Sequence, residues 1–180
     1  KSLNEKTKST DLFNYQIKSE GGHSDWLKKL QPVLTDEKIR KYGHNVKFDL
    51  EVLARAGVTV IGIAADSMVA SYVLNPGTRQ HNLDALAFSE FHHQKISKDD
   101  LIGKGREKIG YGDVALDKLF NYSCEDADFT FRLAKKLVAE LKKNNLEKLF
   151  REIEMPLIPA LAGMELNGIK INLPYLEKLR

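Results

Sequence analysis

Two stretches of the chain concentrate side chains that can do chemistry. In Asn45-Val46-Lys47-Phe48-Asp49 a carboxylate sits one turn into a helical pattern, and in Tyr122-Ser123-Cys124-Glu125-Asp126 a phenol and a carboxylate stand four residues apart. Positions i and i+4 share a helix face, so Tyr122 and Asp126 project into the same space. Carboxylates that converge on one pocket suit a hard divalent cation such as Mg²⁺, which takes oxygen ligands and keeps several waters. A phenol beside them can hold an attacking water in line. Spacing alone leaves plainer alternatives open. An aspartate near a helix start also complements the macrodipole, and a Tyr–Asp pair at i, i+4 also occurs as an ordinary surface pair.

The elements that must position these residues follow from periodicity and punctuation. Residues 1–10 are polar and aperiodic and read as loop or a frayed end. Phe13, Tyr15 and Ile17 alternate with polar residues, a short half-buried strand. Ser24 is an N-cap for a helix carrying Trp26, Leu27 and Leu30 that ends near Pro32. Residues 38–44 are a predicted strand, and Asn45 is the N-cap of a helix that runs to Gly57. The β-branched run at 58–64 predicts a buried strand. Asp66 caps a helix that reaches Leu74 and is stopped by Asn75-Pro76-Gly77, and a further helix covers 82–91. Residues 94–112 read as loop with one short helix at 99–102. Helical patterns return at 114–144 and, as two helices broken at Pro156, at 146–166; Asn167-Gly168 is a turn. Short strands alternating with helices argue an α/β architecture. Gly103-Lys104-Gly105 lacks the span and the terminal Gly-Lys-Ser/Thr of a phosphate-binding P-loop.

Composition sets outer bounds. With 180 residues the chain can bury a normal core, and no apolar run approaches a membrane span. The net charge of +3 permits a nucleic-acid partner without arguing for one. The single cysteine, Cys124, rules out an intramolecular disulfide and points to a reducing compartment, the cytoplasm. The first residue is Lys1 rather than Met, so the segment reads as cut from something longer.

The same stretches carry a family likeness. Gly43-His44-Asn45-Val46-Lys47-Phe48-Asp49 resembles the second exonuclease motif of family A DNA polymerases, and Tyr122 through Asp126 resembles the third in its Tyr-x-x-x-Asp form. Asp66-Ser67-Met68, Ser71-Tyr72-Val73-Leu74-Asn75 and His81-Asn82-Leu83-Asp84-Ala85-Leu86-Ala87 are similar to that family as well. Glu152-Ile153-Glu154-Met155-Pro156-Leu157 and Met164-Glu165-Leu166-Asn167-Gly168-Ile169-Lys170 look like the junction where such a chain enters its polymerase domain. In this order the motifs resemble the proofreading 3′→5′ exonuclease domain of bacterial polymerases of the polymerase I type.

That resemblance implies a ribonuclease H-like (DnaQ-like) α/β fold with its N-terminal strands incomplete. Residues 1–153 would be a partial exonuclease domain and 154–180 the start of a polymerase domain. The implied reaction is hydrolysis of the 3′-terminal phosphodiester of single-stranded DNA by two Mg²⁺ (or Mn²⁺) ions, in a domain that works as a monomer within a longer polymerase chain. By motif match, Asp126 is a direct metal ligand, Asp49 supports the second metal through water, and Tyr122 orients the nucleophilic water. Asn45 and Lys47 are expected to position the site or the DNA strand.

One part of the family pattern is absent. The first motif, Asp-x-Glu on the opening strand, occurs nowhere in residues 1–48, and Asp49-Leu50-Glu51 lies inside the second motif. Truncation is the expected reason, and the fragment by itself is then expected to be weakly active or inactive. Beyond the motifs, His81 and Arg79 share a loop expected to meet DNA, and Lys104, Arg106 and Lys108 form the best basic patch for phosphates. Glu125 is expected to point away from the Tyr122–Asp126 face. Two other functions are open: an exoribonuclease of the same superfamily, and a non-catalytic DNA-binding domain in which the first motif is lost.

Overall fold

The structure is a computed structural model that describes residues 25–179. The expected strand at Phe13, Tyr15 and Ile17 and the Ser24 cap lie outside the described residues. A β-α-β unit organises the rest. Strand β1 (Lys41–Gly43) leads into helix α2 (Val46–Arg55), and the chain returns through β2 (Ile63–Asp66), parallel to β1, with Gly43 opposite Asp66. Helix α1 (Asp25–Thr35) precedes the unit, and α3 (Ser67–Leu74) and α4 (Leu83–Phe91) follow it. A short α5 (Lys98–Ile102) and two 3₁₀ turns (Gly105–Glu107 and Tyr111–Asp113) lead to the long α6 (Leu116–Lys143). One turn of helix, α7 (Glu147–Leu149), runs through a π-helical turn (Phe150–Glu154) into α8 (Met155–Asn167), and α9 (Leu173–Leu179) closes the described chain. Among the described residues no helix is long and apolar enough to cross a membrane.

Helix α6 forms because its apolar residues recur at helical spacing. Leu133, Leu137 and Leu141 make one stripe with Ala134, all fully buried. That stripe closes on Ala65 of β2, Ala70 of α3, Leu86 of α4 and Phe150 of the π turn. Each buried leucine stabilises the fold by about 1.5–3 kcal/mol relative to an exposed one. Helix α6 packs against α3, α4 and β1, with Phe131 edge-on to Tyr42 of β1.

The regular strands are shorter than the sequence predicts. Residues 36–39 form a tight turn in which Asp36 accepts the Lys38 N–H at 2.8 Å, so β1 starts only at Lys41. Gly62 adopts φ +80°, and a Cβ there would come within 3.0 Å of the Glu37 and Ile39 carbonyls. The backbone therefore bends at Gly62, and pairing in the second strand begins after it, although Val58 upstream is buried as expected. The prolines also behave differently. Helix α1 continues past Pro32 to Thr35. The break expected at Pro156 is replaced by the π turn, whose wider ring has the Met155 N–H bonding the Phe150 carbonyl, so that Pro156 falls in the first turn of α8, where no N–H is required. The expected junction at 153/154 lies within this continuous helical run.

Candidate nuclease site

The carboxyl ends of β1 and β2 create the setting, as crevices at the ends of parallel strands do generally. Gly43 leaves β1 so close to Val46 that a Cβ would stand 2.5 Å from the valine Cβ, which lets α2 begin immediately. Asn45 occupies the N-cap position as expected, but in the left-handed region (φ 60°, ψ 46°) and without a side-chain cap bond. The cap comes instead from Asp66, one strand away: its buried carboxylate accepts the Val46 N–H at 2.6 Å and the Met68 and Val69 N–H groups at 2.8 and 3.0 Å. One side chain thus fixes the starts of both α2 and α3. Asp49, in the first turn of α2, is thereby held near Asp66. Crowding by neighbouring atoms, and then the Asp66 charge, raise its carboxyl above the ordinary range.

His44 reports how the second and third motifs meet. Its Nδ1 lies 2.9 Å from Ser67 Oγ, which in turn donates to the Gly43 carbonyl at 3.1 Å. Burial lowers its pKa, while Asp66, Asp126 and Asp84 act on it in the opposite direction. These three carboxylates, from the end of β2, from α6 and from α4, all act on the charge of this one imidazole. Tyr122, one turn before Asp126 on α6, is half-buried. Burial first, and then Asp126, Tyr111 and Asp84, push its phenol up to about 12, so it is an un-ionised donor at any ordinary pH. The expected shared face of Tyr122 and Asp126 is realised.

The residue that sequence reasoning missed is Lys95. Its side chain is wholly buried, its ammonium is ion-paired with Asp126, and it stands 3.7 Å from Asp84 and 3.9 Å from Glu125. The same ammonium lies 5.3 Å from the centre of the Tyr122 ring. Lys95 sits in a loop with no periodic signal, so only the folded chain reveals it. Glu125, expected to face away from Asp126, joins the cluster because Lys95 reaches both carboxylates. Burial alone would raise Glu125, but His93 at 2.7 Å, the Ile96 N–H at 2.7 Å and Lys95 together hold it below the usual carboxylate range. Cys124 between them is exposed.

The other expected contact residues separate into two groups. Asn45, Arg79, Lys104 and Arg106 are exposed, with Lys104 in a solvent-facing pair with Asp99 at 3.5 Å. Lys47 is ion-paired with Glu165 of α8 and lies 3.7 Å from Glu51, tying α2 to α8. His81 is 2% exposed. Its ring contacts Ser71 Oγ at 2.8 Å and the Thr78 carbonyl at 3.0 Å and stacks on Tyr72, so it packs inside the fold rather than offering itself to a strand of DNA.

The described side chains do not fit a pair of divalent ions as they stand. Among the described residues no three His, Cys, Asp or Glu groups are placed to hold a metal, and the carboxylate expected to be a direct ligand, Asp126, is already bound by an ammonium.

Comparison with known proteins places this arrangement. The 3′-5′ exonuclease family matches residues 4–142. DNA polymerase I of Pseudomonas aeruginosa is 37% identical over 149 residues, covering 81% of this chain and 16% of the relative. DNA polymerase I of Chloroflexus aurantiacus is 39% identical over 153 residues, covering 83% of this chain and 16% of the relative. A solved structure described as the POL domain of Pol1 from M. smegmatis in complex with DNA primer-template and dNTP superposes with a TM-score of 0.68 at 27% identity, over 85% of this chain and 23% of that one. The chain thus spans about a sixth of the curated relatives' length. With the family matched across most of its length, the chain belongs to the 3′-5′ exonuclease domain family of DNA polymerase I.

Proposed function

We propose that this domain removes nucleotides from the single-stranded 3′ end of DNA, as the proofreading part of a longer, monomeric polymerase chain in which residues 154–180 lead into the polymerase domain. The observation that carries this reading is the convergence of Asp126 and the Tyr122 ring of α6 and Asp84 of α4 on one buried ammonium, that of Lys95. In this reading Tyr122 keeps its proton and uses it to orient a water at the terminal phosphodiester. The Asp126 and Asp49 carboxylates provide the negative charge on the site side. Assigning those two carboxylates to two Mg²⁺ (or Mn²⁺) ions belongs to the same proposal and requires Asp126 to leave Lys95. The family generally uses divalent metals.

Asn45, Arg79, Lys104 and Arg106 are exposed and suited to phosphate oxygens, a role that positions a strand without reading its bases. Lys47 belongs with them only if its pair with Glu165 opens, and His81 is left out of the interface because its ring is engaged inside the fold. A mismatched end frays readily, which is the natural basis for selecting it. The test is degradation of matched DNA and RNA single strands, each labelled at the 5′ end, with Mg²⁺ or Mn²⁺ present. Products that shorten stepwise from the 3′ end of DNA support the proposal. Preference for RNA would favour an exoribonuclease, and binding of DNA without cleavage by the longer chain would favour a binding module.

A further inference from the structure

Lys95 carries an inference beyond this reading and rests on it. A buried ammonium is costly unless paired, and this one has no exposed surface and is surrounded by acidic and aromatic groups from two helices. Asp126 and Glu125 approach it from α6, Asp84 from α4, and the Tyr122 ring lies beneath it. The carboxylates in turn depend on it, since among the described residues it is Lys95 that pairs with Asp126. Its loop is anchored on both sides, by His93 bonded to Glu125 and stacked on Phe129 at 4.6 Å, and by the Ile96 N–H on Glu125.

We propose that Lys95 is a tethered cation that occupies the cation position beside Asp126, so that a divalent ion reaches this carboxylate only by displacing the lysine. A tethered group competes at the high effective concentration its attachment sets, and Lys95 therefore sets the metal affinity of the site. Displacement leaves the ammonium without its carboxylates and drives it to solvent.

The test titrates Mn²⁺ against the chain and its Lys95→Met and Lys95→Gln variants, reading bound ion by electron paramagnetic resonance, with circular dichroism confirming that each variant is folded. Asp126→Asn is added to each. The expected result is Mn²⁺ affinity at least tenfold higher in both lysine variants, with the gain lost when Asp126 is replaced. In the unsubstituted chain, Mn²⁺ should also raise the rate at which an acylating reagent modifies Lys95, as followed by mass spectrometry. Asp126-dependent binding of equal strength with and without the lysine, and acylation indifferent to Mn²⁺, would overturn the inference while leaving Asp126 a metal ligand. Absence of Asp126-dependent binding in every variant would overturn both the inference and the metal assignment.

Discussion

The Asp66 carboxylate accepts the Val46 N–H at 2.6 Å across 20 residues of sequence. This single bond ties the beginning of the helix that carries Asp49 to the end of the neighbouring strand. The same carboxylate caps α3 through Met68 and Val69, so the two helices take their origin from one buried side chain.

Replacing Asp66 by alanine removes a helix cap and strands a backbone donor at Val46. Cap loss costs about 0.5–2 kcal/mol and an unpaired buried donor about 1–3, so Asp66→Ala should destabilise the fold by about 1.5–5 kcal/mol. Urea unfolding followed by circular dichroism measures this. A loss below about 0.5 kcal/mol, the range of ordinary surface substitutions, would contradict the role given to Asp66.

Stability should fall in two steps as the solution is acidified. His44 has a folded pKa below its ordinary 6.5 because burial outweighs the carboxylates near it. Glu125 has one below 4.5 because His93, the Ile96 N–H and Lys95 outweigh burial. In both cases the unfolded chain takes up its proton first, so stability is greatest above the unfolded value and is lost as pH falls through the folded one. The first loss begins near pH 6.5 and the second near 4.5. Urea unfolding between pH 7.5 and 4 checks the order, with His44→Gln removing the first step and Glu125→Gln reducing the second, to which Glu165 also contributes. Stability that rises between pH 6.5 and 5 in the unsubstituted chain would contradict the assignment for His44.

Tyr122 acts as an uncharged donor if its phenol titrates only near 12. Tyr122→Phe should then slow 3′-end removal about tenfold, the effect of losing one hydrogen bond of roughly 1.4 kcal/mol. The shape of the pH–rate profile between pH 6 and 10 should not change. A profile that loses an alkaline limb in Tyr122→Phe would mean that the phenolate takes part.

What could be read from the sequence was what is local. The Asp66 cap, the stop after Leu74, the helix beginning near residue 82 and the i, i+4 face of Tyr122 and Asp126 each depend on a few adjacent residues, and each is present in the structure. The family likeness supplied the order of the motifs and hence the fold. What escaped depends on residues far apart in the chain. Asp66 caps α2 in place of Asn45, whose backbone is left-handed, and nothing near Asn45 signals that partner. Lys95 has no motif or periodicity, and its importance arises only where α4 and α6 converge. Helix geometry alone turns Glu125 from Asp126, whereas the Lys95 stem is long enough to reach both. The position of His81 beside Arg79 suggests a loop residue open to DNA, but Ser71 and Tyr72 draw its ring inside.

The most direct test compares degradation of a 5′-labelled single-stranded DNA by the longer polymerase chain with and without Asp126→Ala, in Mg²⁺ or Mn²⁺. Losing a group that stabilises transition-state charge costs about 2.7–4 kcal/mol, so the account predicts 3′-end removal at least about a hundredfold slower in Asp126→Ala, with DNA synthesis unaffected. Equal rates of 3′-end removal in the two chains would contradict the central claim that Asp126 belongs to the nuclease site.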